Sequence, residues 1–328
     1  MTRKLIAGAC LLVLFQSVAA DPKILPMRER AAVIDQWMET RVETILPMLM
    51  RRAGIDMWVI ISREYNEDPV IKTMLPSTWF AARRTTILLI HDRGEDQPLE
   101  TLSVSRYAVG DIFAGAWNKE EDGEQWAHLG RLIDERDPRR IGLNYSVNFP
   151  LADGISHTEF ELFMGAIPER LQERVTSAED LAVGWLETRT PDEMAVYQNI
   201  VRIAHEILAE GLSEAVIQPG VTTTQDVTWW YRDRIRELKL ETWFNPSVSI
   251  DRAEAPETTM ADWALSRYDS DVILPGDLLH VDFGIKYLRL NTDTQQHAYV
   301  LKPGETDAPE DLKQALANGN RLQDLPVS

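Results

Sequence analysis

Three short apolar runs, separated by segments with helical periodicity, constrain the fold of this chain more than any other feature. The runs DMWVIIS, RTTILLIH and RIGLNYS are bounded by charged or turn residues, which is typical of buried strands. Residues 27–53 and the stretch EQWAHLGRLIDE carry apolar residues three and four positions apart, which indicates helices. Because helices alternate with short strands, the sequence predicts an α/β domain over residues 21–180.

A second unit is predicted over residues 185–328. Thr190 can cap a helix, Pro191 fits its first turn and Glu193 completes a capping box, so we expect a helix that reaches about Ala215. A turn in IQPGVTTTQDV and a second helix through WWYRDRIREL follow, and ETWFNPSVSI is expected to form a strand. The stretch APEDLKQALANGNRLQDL predicts a last helix near the end of the sequence.

Between these elements, HVDFGIKYLRLNTDT predicts a β-hairpin whose polar face carries Asp282 and Asp293. A turn centred between Tyr287 and Leu288 would place the two aspartates directly opposite each other. Like charges opposed across a ladder cost stability unless a cation lies between them, and a divalent metal held by carboxylate oxygens is the simplest remedy. The alternative is that both aspartates face water on an exposed surface.

The first twenty residues predict a secretory signal peptide that is cleaved after Ala20. Arg3 and Lys4 precede an apolar run that is too short to span a membrane comfortably, and an uncleaved anchor is the alternative. The single cysteine, Cys10, lies inside this segment, so the remaining chain cannot form a disulfide and its core depends on packing. We therefore expect a secreted or periplasmic protein that does not associate with the membrane after cleavage.

The charge balance limits the partners that the protein can have. Fifty-two acidic residues against 34 basic residues give a formal net charge of −18. Nucleic acid and anionic membrane surfaces repel such a protein, so neither is expected as a partner. An acidic surface favours a cation site only weakly, because the usual reason for such a charge balance is a solvated, soluble surface.

The segment PGDLLHVDFG, followed by NTDT, resembles the metal-binding hairpin of the M24 metallopeptidases. This group includes Xaa-Pro aminopeptidases, prolidases and creatinase-like proteins. Gly276–Asp277, Asp282, Gly284 and Asp293 match the family pattern of a Gly-Asp start, an Asp-x-Gly and a second Asp eleven residues after the first. The stretches ETRTPDEMAVYQNIVRIAHEIL and QPGVTTTQDV resemble the preceding elements of the same catalytic domain. The resemblance implies a creatinase-type N-terminal α/β domain followed by the first half of a pita-bread α+β domain.

The same resemblance implies a metal-dependent aminopeptidase or prolidase-like hydrolase. Its substrates would be peptides with an N-terminal Xaa-Pro, cleaved by a hydroxide on two metal ions, often manganese, cobalt or zinc. Five ligands are implied: two Asp, one His and two Glu. Asp282 would bind the first metal and Asp293 would bridge both, and a homodimer is the assembly to consider.

Three departures from the family pattern bear on activity. The family's histidine and glutamate ligands follow the hairpin in the second half of the domain, and this sequence ends at Ser328. The segment DWALSRYDSDVILPGD lacks a family histidine that steadies the substrate, and Gln295 and Gln296 stand where the family often has an arginine. Two of five ligands cannot hold a dinuclear site. We therefore expect a catalytically incomplete family member, whose catalytic residues stay unassigned.

Two further interpretations stay open: a non-catalytic secreted module that binds or dimerises through its N-terminal domain, and a partial gene product. In each case the second half of the pita-bread domain would be missing. We then expect the apolar face of the hairpin, with Phe283, Ile285 and Val300, to be uncovered except where the last helix reaches it.

Overall fold

The computed structural model describes residues 24–252 and 271–324. The predicted signal peptide, residues 1–20, lies outside these ranges, so its cleavage and the export of the protein stay predictions. Within the described ranges, no helix combines the length and the apolar character that a membrane span requires.

The first unit is a mixed sheet covered by helices on both faces. Its elements are α1 (Met27–Thr40), a π-helical turn (Arg41–Ile45), α2 (Leu46–Ala53), β1 (Met57–Arg63), α3 (Pro69–Met74), β2 (Thr85–His91), β3 (Glu100–Ser103), β4 (Ala114–Gly115), α4 (Lys119–Asp122), α5 (Gln125–Arg136), β5 (Ile141–Leu143), a 3₁₀ turn (Pro150–Ala152), α6 (His157–Ala166), α7 (Glu169–Gln172), β6 (Val175–Ser177) and α8 (Glu179–Glu187). The strand order is β4-β3-β2-β1-β5-β6, with β1 antiparallel to β2 and parallel to β5. The predicted strands and helices of this α/β unit are confirmed.

Burial along β1 shows why its sequence reads as a continuous apolar run. Trp58 and Ile60 belong to a core with α2 and α8, whereas Val59 and Ile61 belong to a second core with α5 and α6. Successive side chains of a strand point to opposite faces, so a strand covered on both faces must be apolar throughout.

The second unit packs two helices on a small antiparallel sheet. Its elements are α9 (Pro191–Gly211), α10 (Thr224–Glu237), β7 (Ser247–Asp251), β8 (Leu278–Phe283), β9 (Lys286–Tyr287), β10 (Leu290–Asn291), β11 (Thr294–Tyr299) and α11 (Glu310–Gln323). The strand order is β11-β8-β7, and β9 pairs with β10. The capping box at Thr190 and Glu193 is confirmed, but α9 ends at Gly211 rather than near Ala215. Of ETWFNPSVSI, only the residues from Ser247 onward are in a strand.

The apolar face of the hairpin is covered, contrary to the expectation from the sequence. Phe283 and Ile285 are fully buried in a core built with α9 and α10. Tyr231 of α10 lies against Phe283 with a ring-centre distance of 5.1 Å, and its hydroxyl donates to the Leu208 carbonyl. The expectation was wrong because the two helices of this unit cover that face themselves. The last helix, α11, contributes little, since its Leu316 is 63% exposed.

Helix α1 joins the two units. Its Trp37 packs in the core of the second unit, whereas Leu46 and Leu49 of α2 pack in the first unit. Arg41, in the π-helical turn between them, is buried and donates to the carboxylate of Glu193 at 3.0 Å and to the Thr188 carbonyl at 2.6 Å. Residues 27–53, which show one continuous helical pattern in the sequence, therefore contribute side chains to two different cores.

Candidate functional site

The register of the hairpin differs from the predicted one. In the structure, Asp282 of β8 lies opposite Gln295 of β11, and His280 lies opposite His297. The prediction that Asp282 and Asp293 lie directly opposite each other is therefore wrong, because the turn lies one residue later than predicted. The assignment of both aspartates to the polar side of their strands is unaffected, because the alternation of faces is the same in the two registers.

The turn itself explains the shift. It consists of Leu288 and Arg289, which both have left-handed backbone conformations, with φ of 52° and 64°. A two-residue hairpin turn of this kind favours Asn and Gly, so the sequence gives no local signal for it. Arg289 instead donates to the carbonyls of Thr73 and Leu75 in the first unit, at 2.9 and 2.8 Å, and Leu288 is buried. Contacts between the units thus stabilise the turn one residue later than predicted.

Asp293 lies where the ladder between the two strands is interrupted. If the register of β8 and β11 is continued toward the turn, Asp293 falls opposite Gly284. A Cβ on Gly284 would approach the Thr292 carbonyl oxygen to 2.4 Å, and Trp243 Nε1 donates to that same oxygen at 2.9 Å. This close approach requires glycine at position 284, which is the glycine of the Asp-x-Gly motif. The two aspartates are thus diagonal neighbours rather than directly opposed.

The two candidate ligands differ in their surroundings. Asp293 is exposed, whereas Asp282 is partly buried and lies between Gln295 on one side and Ser247 of β7 on the other. Its Oδ1 atom is buried, and no other described residue forms a hydrogen bond with it. A buried carboxylate oxygen without a donor is unfavourable, so this atom calls for a cation or another donor.

The Gly-Asp start of the motif has a structural role. The Asp277 carboxylate accepts hydrogen bonds from Arg252 Nε and Nη2 at 2.6 and 2.7 Å and from the Leu274 N–H at 2.7 Å. Burial alone would raise the pKa of Asp277, but these donors outweigh it and hold the pKa below its usual value. Gly276 has a φ of 99°, which favours glycine. Together these residues fix the entry into β8.

The donors among the described residues do not fit the dinuclear centre that the resemblance implies. The orphaned Oδ1 of Asp282 would accept one cation, but within residues 24–252 and 271–324 no group of three or more His, Cys, Asp and Glu side chains could hold a metal ion. A dinuclear manganese, cobalt or zinc site needs more ligands than two carboxylates.

The hairpin also contains a histidine pair that the sequence interpretation missed. A turn centred between Tyr287 and Leu288, as predicted, would have placed His280 opposite Gln295 instead of His297. In the structure the two imidazoles face each other with ring centres 4.9 Å apart. This pair can be recognised only when the register is known. In the sequence, both histidines are equally many positions away from the turn residues Leu288 and Arg289, which places them opposite each other.

Comparison with known proteins supports the fold. No protein-family model and no curated protein sequence matches this chain. Among solved structures it is similar to the X-Pro aminopeptidase from Thermotoga maritima, with a TM-score of 0.56 and 15% identity over 84% of this chain and 70% of that one. It is also similar to aminopeptidase P from E. coli with the inhibitor Pro-Leu, with a TM-score of 0.53 and 10% identity over 85% of this chain and 63% of that one. The chain has the fold of the M24 peptidases, as the motif predicted.

Proposed function

We propose that this chain is an exported, M24-type, Xaa-Pro aminopeptidase-like polypeptide, and that its 328 residues alone do not hydrolyse peptides. The observation that carries the proposal is the pairing of the peptidase fold with Asp282 and Asp293 at the motif positions of its hairpin. The partly buried, unsatisfied Oδ1 of Asp282 adds a local reason to expect a cation there. The inhibitor Pro-Leu in the E. coli aminopeptidase P structure suggests short proline peptides as the substrate class.

The incompleteness follows from the count of ligands. The resemblance implies five, and the described residues supply two carboxylates that are not directly opposed. The chain corresponds to 70% and 63% of the two solved peptidase chains to which it is similar. We propose that the missing His and Glu ligands belong to the remaining part of the fold.

A hydrolysis assay tests whether the chain by itself is inactive. The purified chain is incubated with Xaa-Pro dipeptides and with peptides that begin Xaa-Pro, in the presence of manganese, cobalt or zinc, with and without a chelator. We expect no turnover above that of the Asp282→Asn variant. Chelator-sensitive turnover that Asp282→Asn abolishes would show that the chain assembles a complete site.

The coding DNA after the codon for Ser328 provides a second test. A continuation, in frame or after a frameshift, that encodes one His and two Glu at the implied positions would support the peptidase ancestry, and the joined polypeptide should then hydrolyse Xaa-Pro peptides. If the joined polypeptide carries these ligands and remains inactive with all three metals, the assignment to peptidases is wrong.

Export is tested separately. Expressed with its first twenty residues in a Gram-negative bacterium, the protein should be recovered from the periplasm with Asp21 at its N-terminus. Recovery from the cytoplasm with the first residues intact would contradict the predicted signal peptide. A membrane-bound form with an intact N-terminus would indicate an uncleaved anchor instead.

One observation favours the alternative of a non-catalytic binding module. Phe80 is fully exposed and Tyr65 is 85% exposed, and their loops are joined through Glu67, which accepts from the N–H groups of Tyr65 and Ala82. Exposed aromatic side chains on ordered loops are typical of binding surfaces. If Phe80→Ser abolishes a dimer that light scattering detects in the parent chain, the binding-module interpretation gains support.

A further inference from the structure

His280 and His297 occupy a favourable position for joint binding of one ligand. Hydrogen bonds from Val300 N–H to the Asp277 carbonyl and from Thr292 N–H to the Ile285 carbonyl, both 2.9 Å, mark hydrogen-bonded positions on either side of this pair. Because the two types of position alternate along an antiparallel ladder, the histidines fall at a non-hydrogen-bonded position. Side chains are closest at such positions, with Cα atoms about 4.5 Å apart.

The ring geometry matches two imidazoles on one ion. The ring centres are 4.9 Å apart and the ring planes are inclined by 48°. With a metal–nitrogen distance of about 2.1 Å and about 1.1 Å from each nitrogen to its ring centre, two imidazoles on one tetrahedral ion have ring centres about 5 Å apart. The observed separation therefore requires no movement of the strands.

The surroundings of the pair add a further donor and suitable charge. The Gln295 amide oxygen is 3.3 Å from His280 Nε2, so an oxygen ligand lies beside the rings. On β8, Asp282 follows two residues later on the same face, with its buried, unsatisfied Oδ1. A net charge of −18 further favours cations over anions near this surface.

We propose that His280 and His297 chelate a transition-metal ion of the zinc, copper or nickel class. Imidazole nitrogen suits these ions and does not suit magnesium or calcium, which prefer oxygen. The two histidines form a bidentate site, with water and the Gln295 oxygen as further ligands. This site uses neither Asp282 nor Asp293 as a required ligand, so it is independent of the peptidase proposal.

Calorimetry and electron paramagnetic resonance test the site in the full chain. Zinc titrated into the metal-free protein should bind with one ion per chain, and the copper(II) complex should show hyperfine splitting from two nitrogens. His297→Asn and His280→Asn should each weaken zinc binding by about 10- to 100-fold, because losing a ligand costs at least as much as losing an outer partner. His205→Asn, on the exposed side of α9, is the control and should change neither signal.

His297 is exposed on the outer strand β11, so His297→Asn should leave the fold intact even if His280→Asn disturbs the sheet. Zinc binding that His297→Asn does not weaken would overturn the proposal. Binding that is lost in Asp282→Asn and Asp293→Asn but kept in both histidine variants would also overturn it, and would place the ion at the peptidase motif. Whether the chain hydrolyses peptides does not affect the zinc-binding result. The histidine site can therefore be refuted without refuting the proposed function, and the reverse also holds.

Discussion

Asp68 in the first unit and Asp282 in the second are both aspartates with buried carboxylate oxygens, but they differ in the number of hydrogen bonds that these oxygens accept. Asp68 is 1% exposed and accepts hydrogen bonds from the N–H groups of Val70 and Ile71 and from the Asn144 amide, at 2.7, 3.2 and 2.9 Å. The Oδ1 of Asp282 accepts none from the described residues. A carboxylate that stabilises a fold is saturated with donors, whereas one that is short of donors points to a partner outside the described residues, such as a cation.

The largest expected effect concerns a third buried carboxylate, Glu193, whose cationic partner is Arg41. Replacing Arg41 by Met leaves this carboxylate buried without its counter-charge, so we expect the free energy of unfolding to fall by about 3–4 kcal/mol in urea titrations. Arg202→Met, which breaks an exposed pair with Glu206, is the control and should cost no more than about 0.5 kcal/mol. Equal losses of unfolding free energy in the two variants would contradict the conclusion that the buried contacts of Arg41 stabilise the connection between the two units.

Asp68→Ala should have the next largest effect. It removes the cap of α3 and leaves the buried Asn144 amide without its acceptor, so we expect a loss of about 2–3 kcal/mol of unfolding free energy. Asn118→Ala removes an exposed cap of the short helix α4 and should cost about 0.5–1 kcal/mol. A loss for Asp68→Ala as small as that of the control would show that the saturated network is not a stabilising one.

Asp277→Asn sharpens the comparison through its dependence on pH. The pKa of Asp277 is lowered in the folded protein, so its contribution to stability is present above the unfolded pKa of about 3.9 and is lost as the pH falls through the folded pKa. At pH 7 the variant should be less stable by about 1–2 kcal/mol, since Arg252 loses its charged partner. Urea titrations should show this difference shrinking below about pH 4. A difference that does not change between pH 7 and pH 3 would exclude the ion pair as its origin.

The smallest effect is expected for Asp282→Asn measured with a chelator present. The Oδ1 of Asp282 has no donor among the described residues. Replacing this carboxylate by an amide should therefore change the free energy of unfolding by no more than about 0.5 kcal/mol. The exposed Asp293→Asn serves as the control with the same expectation. A loss above about 1 kcal/mol for Asp282→Asn alone would show that this carboxylate has a structural partner after all, and would end the contrast with Asp68.

Local patterns determined the secondary structure and the side of each strand that is polar. The continuous apolar run of β1, the capping box of α9 and the alternation along β8 each depend on residues close in sequence, so the sequence alone predicts them. The sequence alone also identified the motif positions Asp282 and Asp293, and with them the resemblance from which the fold was predicted.

Only the tertiary structure decided which residues face each other across the hairpin and what covers it. The turn at Leu288 and Arg289 is stabilised by carbonyls of the first unit more than two hundred residues earlier in the chain, which no local propensity encodes. Likewise, Phe283 is buried because α9 and α10 fold back over it, although the hairpin sequence alone says only that one face is apolar. Periodicity fixes the parity of a strand, but its register depends on contacts between distant segments, and here that register separates the aspartates and brings His280 and His297 together.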